Sequence, residues 1–298
     1  MSSRSPFRIC AYAAGFVTIL LWGGSFPAIA VGVKHVDPSA LAAVRFAVAA
    51  VAAGIWLAWR RKRLPVAKDF IRIAICSLLG IALYNMLLNT GQRDVSPGAA
   101  SFIVATQTVF AGGLSHYLGQ QKVGQKAIIG TALSLVGIAV ISLGQAADLR
   151  VGAGSFLVLI AAACSGVNFV LQQPLAVKYG GAESACWTMV MGGLFLSPWL
   201  PQGLQQTMQS TEAIAAAGFL ALGSGVLGYA CWFTALAGLG AARAANLLFL
   251  MAPVALLLAI PISGHLPDLS TILGGTLALA GVAIVNHSYR RTSAAQPE

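Results

Sequence analysis

Charge is the scarcest feature of this chain. Charged residues make up 9% of its 298 positions, and only 8 of them are acidic. A soluble domain carries roughly 25%, and no stretch here is long and polar enough to fold as one. The five cysteines (Cys10, Cys76, Cys164, Cys186, Cys231) never take CxxC spacing and all fall in or at the edge of apolar runs. Neither a metal site nor a disulfide framework is indicated, and the five are expected to act as small apolar packers. Paired carboxylates, a HExxH run and a nucleophile beside a base are missing from the apolar segments, so an integral-membrane enzyme is a remote alternative. Rings of like charge and a repeated filter motif, which would favour a channel, are missing too. No cofactor and no metal are implied. The first apolar run exceeds the roughly 7–15 residues of a signal-peptide core, so no cleavable leader is expected.

What is present is apolar length. Hydrophobic residues are 58% of the chain and mean hydropathy is +0.81. Ten runs approach the roughly 20 residues that a bilayer requires: Tyr12–Val33, Ser39–Trp59, Phe70–Thr90, Gly98–Leu118, Gln125–Gly144, Gly154–Pro174, Ser184–Leu200, Ala213–Leu236, Ala241–Ile262 and Thr271–Asn286. With the N-terminus inside, fourteen of the 18 Lys and Arg fall in inner segments. Only Lys34, Arg93 and Arg150 fall outside, and Arg45 lies within the second run. Positive-inside bias therefore predicts both termini in the cytoplasm of a bacterial-type inner membrane, and the basic balance reflects inner loops rather than nucleic acid.

A shift of 144 residues superimposes the two halves. Val136-Gly137-Ile138-Ala139-Val140 falls on Ala280-Gly281-Val282-Ala283-Ile284, Gly130 on Gly274 and Lys34 on Lys178. Residues 1–147 and 148–298 are thus two five-helix units. Five is odd, so the second unit enters the membrane from the opposite side. Inverted repeats of this kind recur in secondary transporters, with substrate sites near the midplane. The expected fold is all-α and integral to the membrane, with ten spans in two inverted-topology repeats. The small faces Gly130/Ser134/Gly137 and Gly274/Ala278/Gly281 predict a tightly packed scaffold pair.

Leu21-Trp22-Gly23-Gly24-Ser25-Phe26-Pro27 lies mid-run in the first span. Pro27 donates no N–H to the carbonyl of Gly23, which predicts an interrupted helix beside a wet path or a close neighbour. Its counterpart, Gly166-Val167-Asn168-Phe169-Val170, is also rich in glycine and polar residues. Gly23, Gly24, Pro27, Gly80, Gly225, Gly228 and Pro253 are candidate hinges or close contacts.

Neutral polar groups inside the runs are candidates for contact with a substrate. They are Trp22 and Ser25 in run one, Tyr84 and Asn85 in run three, and Gln107 in run four. Asn168 and Gln172 follow in run six, Tyr229 and Trp232 in run eight, and Asn246 in run nine. Amides facing lipid would lose their hydrogen bonds, so these should face protein or water. An interhelical hydrogen bond explains any one of them alone, whereas the set at matched depths points to a central cavity. Arg45 either anchors the fold or attracts a substrate anion. None of the eight acids falls inside a run, so no buried carboxylate is available for coupling; His116, His265 and His287 are weak proton-relay candidates.

Trp22-Gly23-Gly24-Ser25-Phe26, Asp37-Pro38, Ala43-Val44-Arg45-Phe46, Ala244-Ala245-Asn246-Leu247 and Met251-Ala252-Pro253-Val254 resemble motifs of the EamA-type family of the drug/metabolite transporter superfamily. Gly274 and Gly281 resemble its last helix. The chain departs from the pattern at Gly119-Gln120-Gln121 and Gly264-His265, where the family often has Gly-Glu, and near Thr108, where it has proline. The resemblance implies a carrier working by alternating access, and within the family it points to amino-acid exporters of the YddG type. Exporters of another neutral metabolite or drug, such as a nucleoside or sugar, and a proton-coupled antiporter are the alternatives. The expected partners are a small-molecule substrate and the lipid bilayer; a monomer is compatible with the sequence.

Overall fold

The computed structural model describes residues 4–62, 64–118, 125–145, 149–239, 247–263 and 266–294. Among these every regular element is helical. The chain runs α1 (Arg4–Gly32), α2 (Pro38–Trp59), α3 (Ala67–Ser77), α4 (Tyr84–Gly91), α5 (Pro97–Ala105), α6 (Gln107–Tyr117), α7 (Gln125–Gln145) and α8 (Leu149–Tyr179). It continues through α9 (Gly181–Leu196), α10 (Leu200–Thr207), α11 (Thr211–Gly218), α12 (Gly228–Leu239), α13 (Met251–Ser263) and α14 (Leu269–Ala294). Six rods are long and apolar enough to cross a bilayer, and Ile128–Ile141, Met251–Pro261 and Leu269–Ile284 are shorter apolar helices.

Local sequence sets several starts. Pro38 and Pro97 occupy first-turn positions, where a missing N–H costs nothing. Ser96 and Ser210 accept hydrogen bonds from the backbone N–H of Ala99 and Ala213, both at 3.4 Å. Large apolar side chains face outward along the rods; Val51 and Ile55 are 63% and 65% exposed. Such continuous exposure suits lipid, not water.

The expected interruption at Trp22–Pro27 is absent: α1 continues through Pro27, and α8 through Pro174. One proline removes one bond, and packing against neighbours holds the rest. The Ser25 hydroxyl donates to the Trp22 carbonyl at 2.5 Å in the same turn. Pro253 sits in the first turn of α13, where it frees little. The breaks lie elsewhere. Leu78–Leu83, between α3 and α4, and Phe219–Leu227, between α11 and α12, are π-helical, and Thr106 separates α5 from α6. Gly80 and Gly225 lie inside the two π segments.

Helices α7 and α14 pack backbone to backbone. A Cβ at Gly137 would lie 2.5 Å from the Gly274 oxygen, and one at Gly281 would lie 2.4 Å from the Gly130 oxygen. Between them the Ser134 hydroxyl donates to the Ala278 carbonyl at 3.2 Å. Lipid tails are as apolar as leucine, so close approach of this kind, not hydrophobic exclusion, holds such a pair together.

One end of the bundle is filled by a buried apolar cluster that includes Phe26, Ile29, Val36, Leu41 and Ile103. Polar groups tie its surface. The Asp37 carboxylate pairs with Arg93 at 3.1 Å and accepts from the side-chain amides of Gln202 and Gln206 in α10, the latter at 3.0 Å. The Asp37 N–H donates to Gln206 Oε1 at 2.8 Å, and His35 meets Glu212 at 2.9 Å. The Gln206 and Arg93 contacts hold the Asp37 carboxyl below its ordinary value of 3.8. At the other end, Lys62 pairs with Glu183 at 2.6 Å, and Asp69 accepts from Lys178 and Tyr179. Helix α9 begins three residues before the expected run, which places Glu183, buried, in its first turn; Asp69 and Glu212 likewise lie in the first turns of α3 and α11.

Candidate functional site

A cavity of about 540 Å³ lies among the helices of both halves. Its lining runs from Phe26, Arg45 and Leu88, beneath the apolar cluster, to Ala176 and Gly181 beside the turn that carries Lys62. Helices α7 and α14 contribute nothing to it among the described residues.

Of the expected polar set, Trp22, Ser25, Tyr84, Gln107, Asn168, Gln172, Tyr229 and Trp232 reach the cavity, as do Arg45 and Gly80. Asn85 does not. It is 2% exposed behind the wall, accepts from Arg45 Nη1 at 3.2 Å and donates to the Ile81 carbonyl at 2.7 Å. Asn246 lies outside the described residues, as do Arg243, Gly119-Gln120-Gln121 and Gly264-His265.

The small residues of α1 face helices. Gly23 backs onto Val254 and the Met251 carbonyl, and Gly24 onto Phe219 and Leu258. Gly23, Gly24, Pro27, Gly225, Gly228 and Pro253 do not line the cavity. A Cβ at Gly228 would lie 2.7 Å from the Trp22 indole nitrogen, which donates to the Ser224 carbonyl at 3.1 Å in the π segment. Related packing joins Gly80, in the other π segment, to the Asn168 side chain, where an added Cβ would approach within 2.4 Å.

The walls divide by chemistry. Trp22 stands edge-on to Tyr229 with ring centroids 5.0 Å apart, and Trp232 lies 5.5 Å from Trp22. Opposite chemistry comes from amides and hydroxyls: Ser165 donates to Gln107 Oε1 at 2.7 Å, Asn168 to Gln172 Oε1 at 3.4 Å, and Gln172 to the Thr188 hydroxyl at 3.5 Å. Ser184 and Thr188 of α9 also line the cavity, and sequence reading missed them. Their one-turn spacing on an otherwise apolar run was the available signal. No carboxylate lines the cavity among the described residues, and no group of three or more His, Cys, Asp or Glu gathers there for a metal ion.

Apolar rods around a cavity set with polar side chains are the build of a multi-pass membrane transport protein. The chain belongs to the EamA-like transporter family, which it matches twice, over residues 9–143 and 152–287. It is 33% identical to a probable terminal-alkyne amino-acid exporter of Streptantibioticus cattleyicolor, across 94% of this chain and 95% of that protein. It is 30% identical to the uncharacterized transporter YdfC of Bacillus subtilis (88% and 86% covered). Identity to the uncharacterized inner membrane transporter YedA of Escherichia coli K12 is 24%, with 93% and 91% covered. A solved crystal structure shares the fold at a TM-score of 0.58 and 17% identity, covering 94% of this chain and 98% of its own.

Proposed function

We propose that this transporter is a carrier that exports amino acids by alternating access. The observation that carries the reading is the cavity: about 540 Å³, and lined by polar groups from both copies of the family domain. That volume sits within the roughly 300–1,000 Å³ of small-molecule sites. The relative named as an amino-acid exporter supports the substrate class.

The reading includes ten spans in two inverted repeats. The α7–α14 contact supports it, because Gly130 meets Gly281, Ser134 meets Ala278 and Gly137 meets Gly274. The 144-residue shift turns the Gly130–Gly281 pair into the Gly274–Gly137 pair, and Ser134 meets its own counterpart Ala278, all in antiparallel order. A two-fold axis in the membrane plane produces that pattern. With both termini cytoplasmic, the open end faces the cytoplasm and the Asp37 end is the closed outer gate. Helices α1 and α8 and the two π segments move around the site while α7 and α14 hold still.

Proteoliposome counterflow tests the reading. Amino acid inside should accelerate uptake of labelled amino acid from outside. A panel in which a nucleoside or sugar exchanges and no amino acid does would overturn the substrate choice. A second reading, proton-coupled antiport, is favoured by Glu183, buried at the open end beside the lining residue Ser184. It requires that an imposed pH gradient drive net flux and that Glu183→Gln abolish that drive.

A further inference from the structure

Arg45 and Asn168 are the two groups on the cavity wall whose hydrogen bonding is left incomplete in opposite senses. Arg45 is 9% exposed, and its Nε donor is buried with no partner. The Asn168 Oδ1 acceptor is likewise buried with no partner. No carboxylate pairs with Arg45 among the described residues; its contacts are the Asn85 side-chain oxygen Oδ1 and the face of Phe46, 5.1 Å from the ring centroid. An unpaired guanidinium inside an apolar bundle is costly, and an orphaned donor on a residue that lines a cavity calls for an acceptor.

The two groups meet a single rod. Asn85, which holds Arg45, donates to the carbonyl of Ile81, while Gly80, the preceding residue, abuts the Asn168 side chain. Both groups therefore contact the rod that contains the π segment Leu78–Leu83, Arg45 through Asn85 and Asn168 at Gly80. Tyr229 lies within electrostatic range of Arg45 and also touches Trp22, so it joins the cation to the aromatic wall. The indole nitrogen of Trp22 is already spent on Ser224, which leaves ring surface for an apolar ligand part.

We propose, building on the carrier reading, that Arg45 receives the carboxylate of the transported molecule and Asn168 Oδ1 receives its ammonium, with Trp22, Tyr229 and Trp232 bordering an apolar side chain. A planar fork fits a carboxylate. One cation and no acid on the wall, among the described residues, match a single negative charge rather than a phosphate dianion. A zwitterion thus satisfies both orphaned groups with no net charge left over beyond that of Arg45.

The test is calorimetric binding to the purified full chain. The probes are leucine, valine and phenylalanine, each with its primary amide and its des-amino carboxylic acid, with inorganic phosphate as a further ligand. The wild type should prefer each carboxylate to the amide by at least tenfold. Arg45→Gln should weaken carboxylates roughly 10- to 100-fold and erase that preference. Asn168→Ala should weaken the amino acids several-fold and leave the des-amino acids unchanged. Asn85→Asp, which places an internal carboxylate on Arg45, should also abolish carboxylate binding and decides the matter if Arg45→Gln fails to fold. Amides binding as tightly as acids, phosphate displacing them all, or no carboxylate binding would overturn the proposal. Arg45-dependent binding of des-amino acids with no amino acid bound would keep the Arg45 assignment, remove that of Asn168 and end the amino-acid reading.

Discussion

The two copies of the family domain meet in two contrasting ways. At α7–α14 they meet through glycine backbones: the built Cβ positions at Gly137, Gly274 and Gly281 fall 2.4–2.6 Å from carbonyl oxygens. Around the cavity they meet through side chains laid against π segments, Trp22 on Ser224 and Gly228, and Asn168 on Gly80. A backbone contact has no rotamer to change, so the first region can only hold or fail. A side chain against a π segment can be re-seated, because the widened turn offers an alternative hydrogen-bond register. One region is therefore suited to be an axis and the other to be a moving seam.

Substitutions break this comparison in a graded order. Gly281→Leu should do most damage, costing about 3 kcal/mol or more by overpacking. It should be read as loss of folded protein and a lowered unfolding midpoint in detergent. A well-folded, active variant would move the axis elsewhere. Gly80→Val should fold, because the flexible end of Asn168 can give way, but should lose most counterflow activity. Unchanged flux would show that the seam tolerates filling.

Trp22→Phe keeps a ring and removes the bond to the Ser224 carbonyl. A stability loss of about 1 kcal/mol and a few-fold slower exchange are expected, measured by thermal unfolding and counterflow. Gly24→Leu should impair folding as well as flux, since Gly24 faces Phe219 and Leu258 rather than the cavity. A folded but inactive variant would put it back on the path.

The smallest effect concerns the sealed end. Bonds from Gln206 and Arg93 favour the Asp37 carboxylate and lower its folded-state value below 3.8. The latch is therefore complete above that value and is lost as pH falls through the lowered one; it should not change between about pH 5 and pH 8. Asp37→Asn should imitate the acid state at neutral pH. Phe26→Cys, in a background lacking the native cysteines, should then label faster with a membrane-impermeant maleimide. Equal labelling with Asp37 intact or replaced would show that the apolar cluster alone seals this end.

Much of this was legible in the chain. Most of the expected runs fall on helices, although α1 begins eight residues before Tyr12 and α14 ends eight residues beyond Asn286, and the start of the ninth run lies outside the described residues. Apolar length is a local property, and the bilayer enforces it by forbidding unpaired backbone. The small faces on α7 and α14 were legible because helical periodicity puts Gly130, Ser134 and Gly137 on one side. Less legible was which polar residue would face the cavity. Asn85 turns to Arg45; Asn89 donates to the Pro38 carbonyl at 2.9 Å, and Gln92 to that of Phe26 at 3.0 Å, both spent on the sealed end. All are amides in or beside one rod, and nothing in their spacing distinguishes them from Tyr84. The helix α10 was also unforeseen, since its partners Asp37 and Ala40 are about 160 residues away in sequence.

Sequence alone determined the membrane class, the two related halves and the shortage of intramembrane acid, because each depends on composition or on a repeat along the chain. Tertiary structure decided that α1 runs unbroken through Pro27, that the π segments carry the irregularity, that Asp37 gathers Arg93, Gln202 and Gln206 at one end, and that Arg45 and Asn168 line one cavity. These depend on which side chains meet across helices that no local pattern relates, and on hydrogen bonds whose partners lie far apart in the chain.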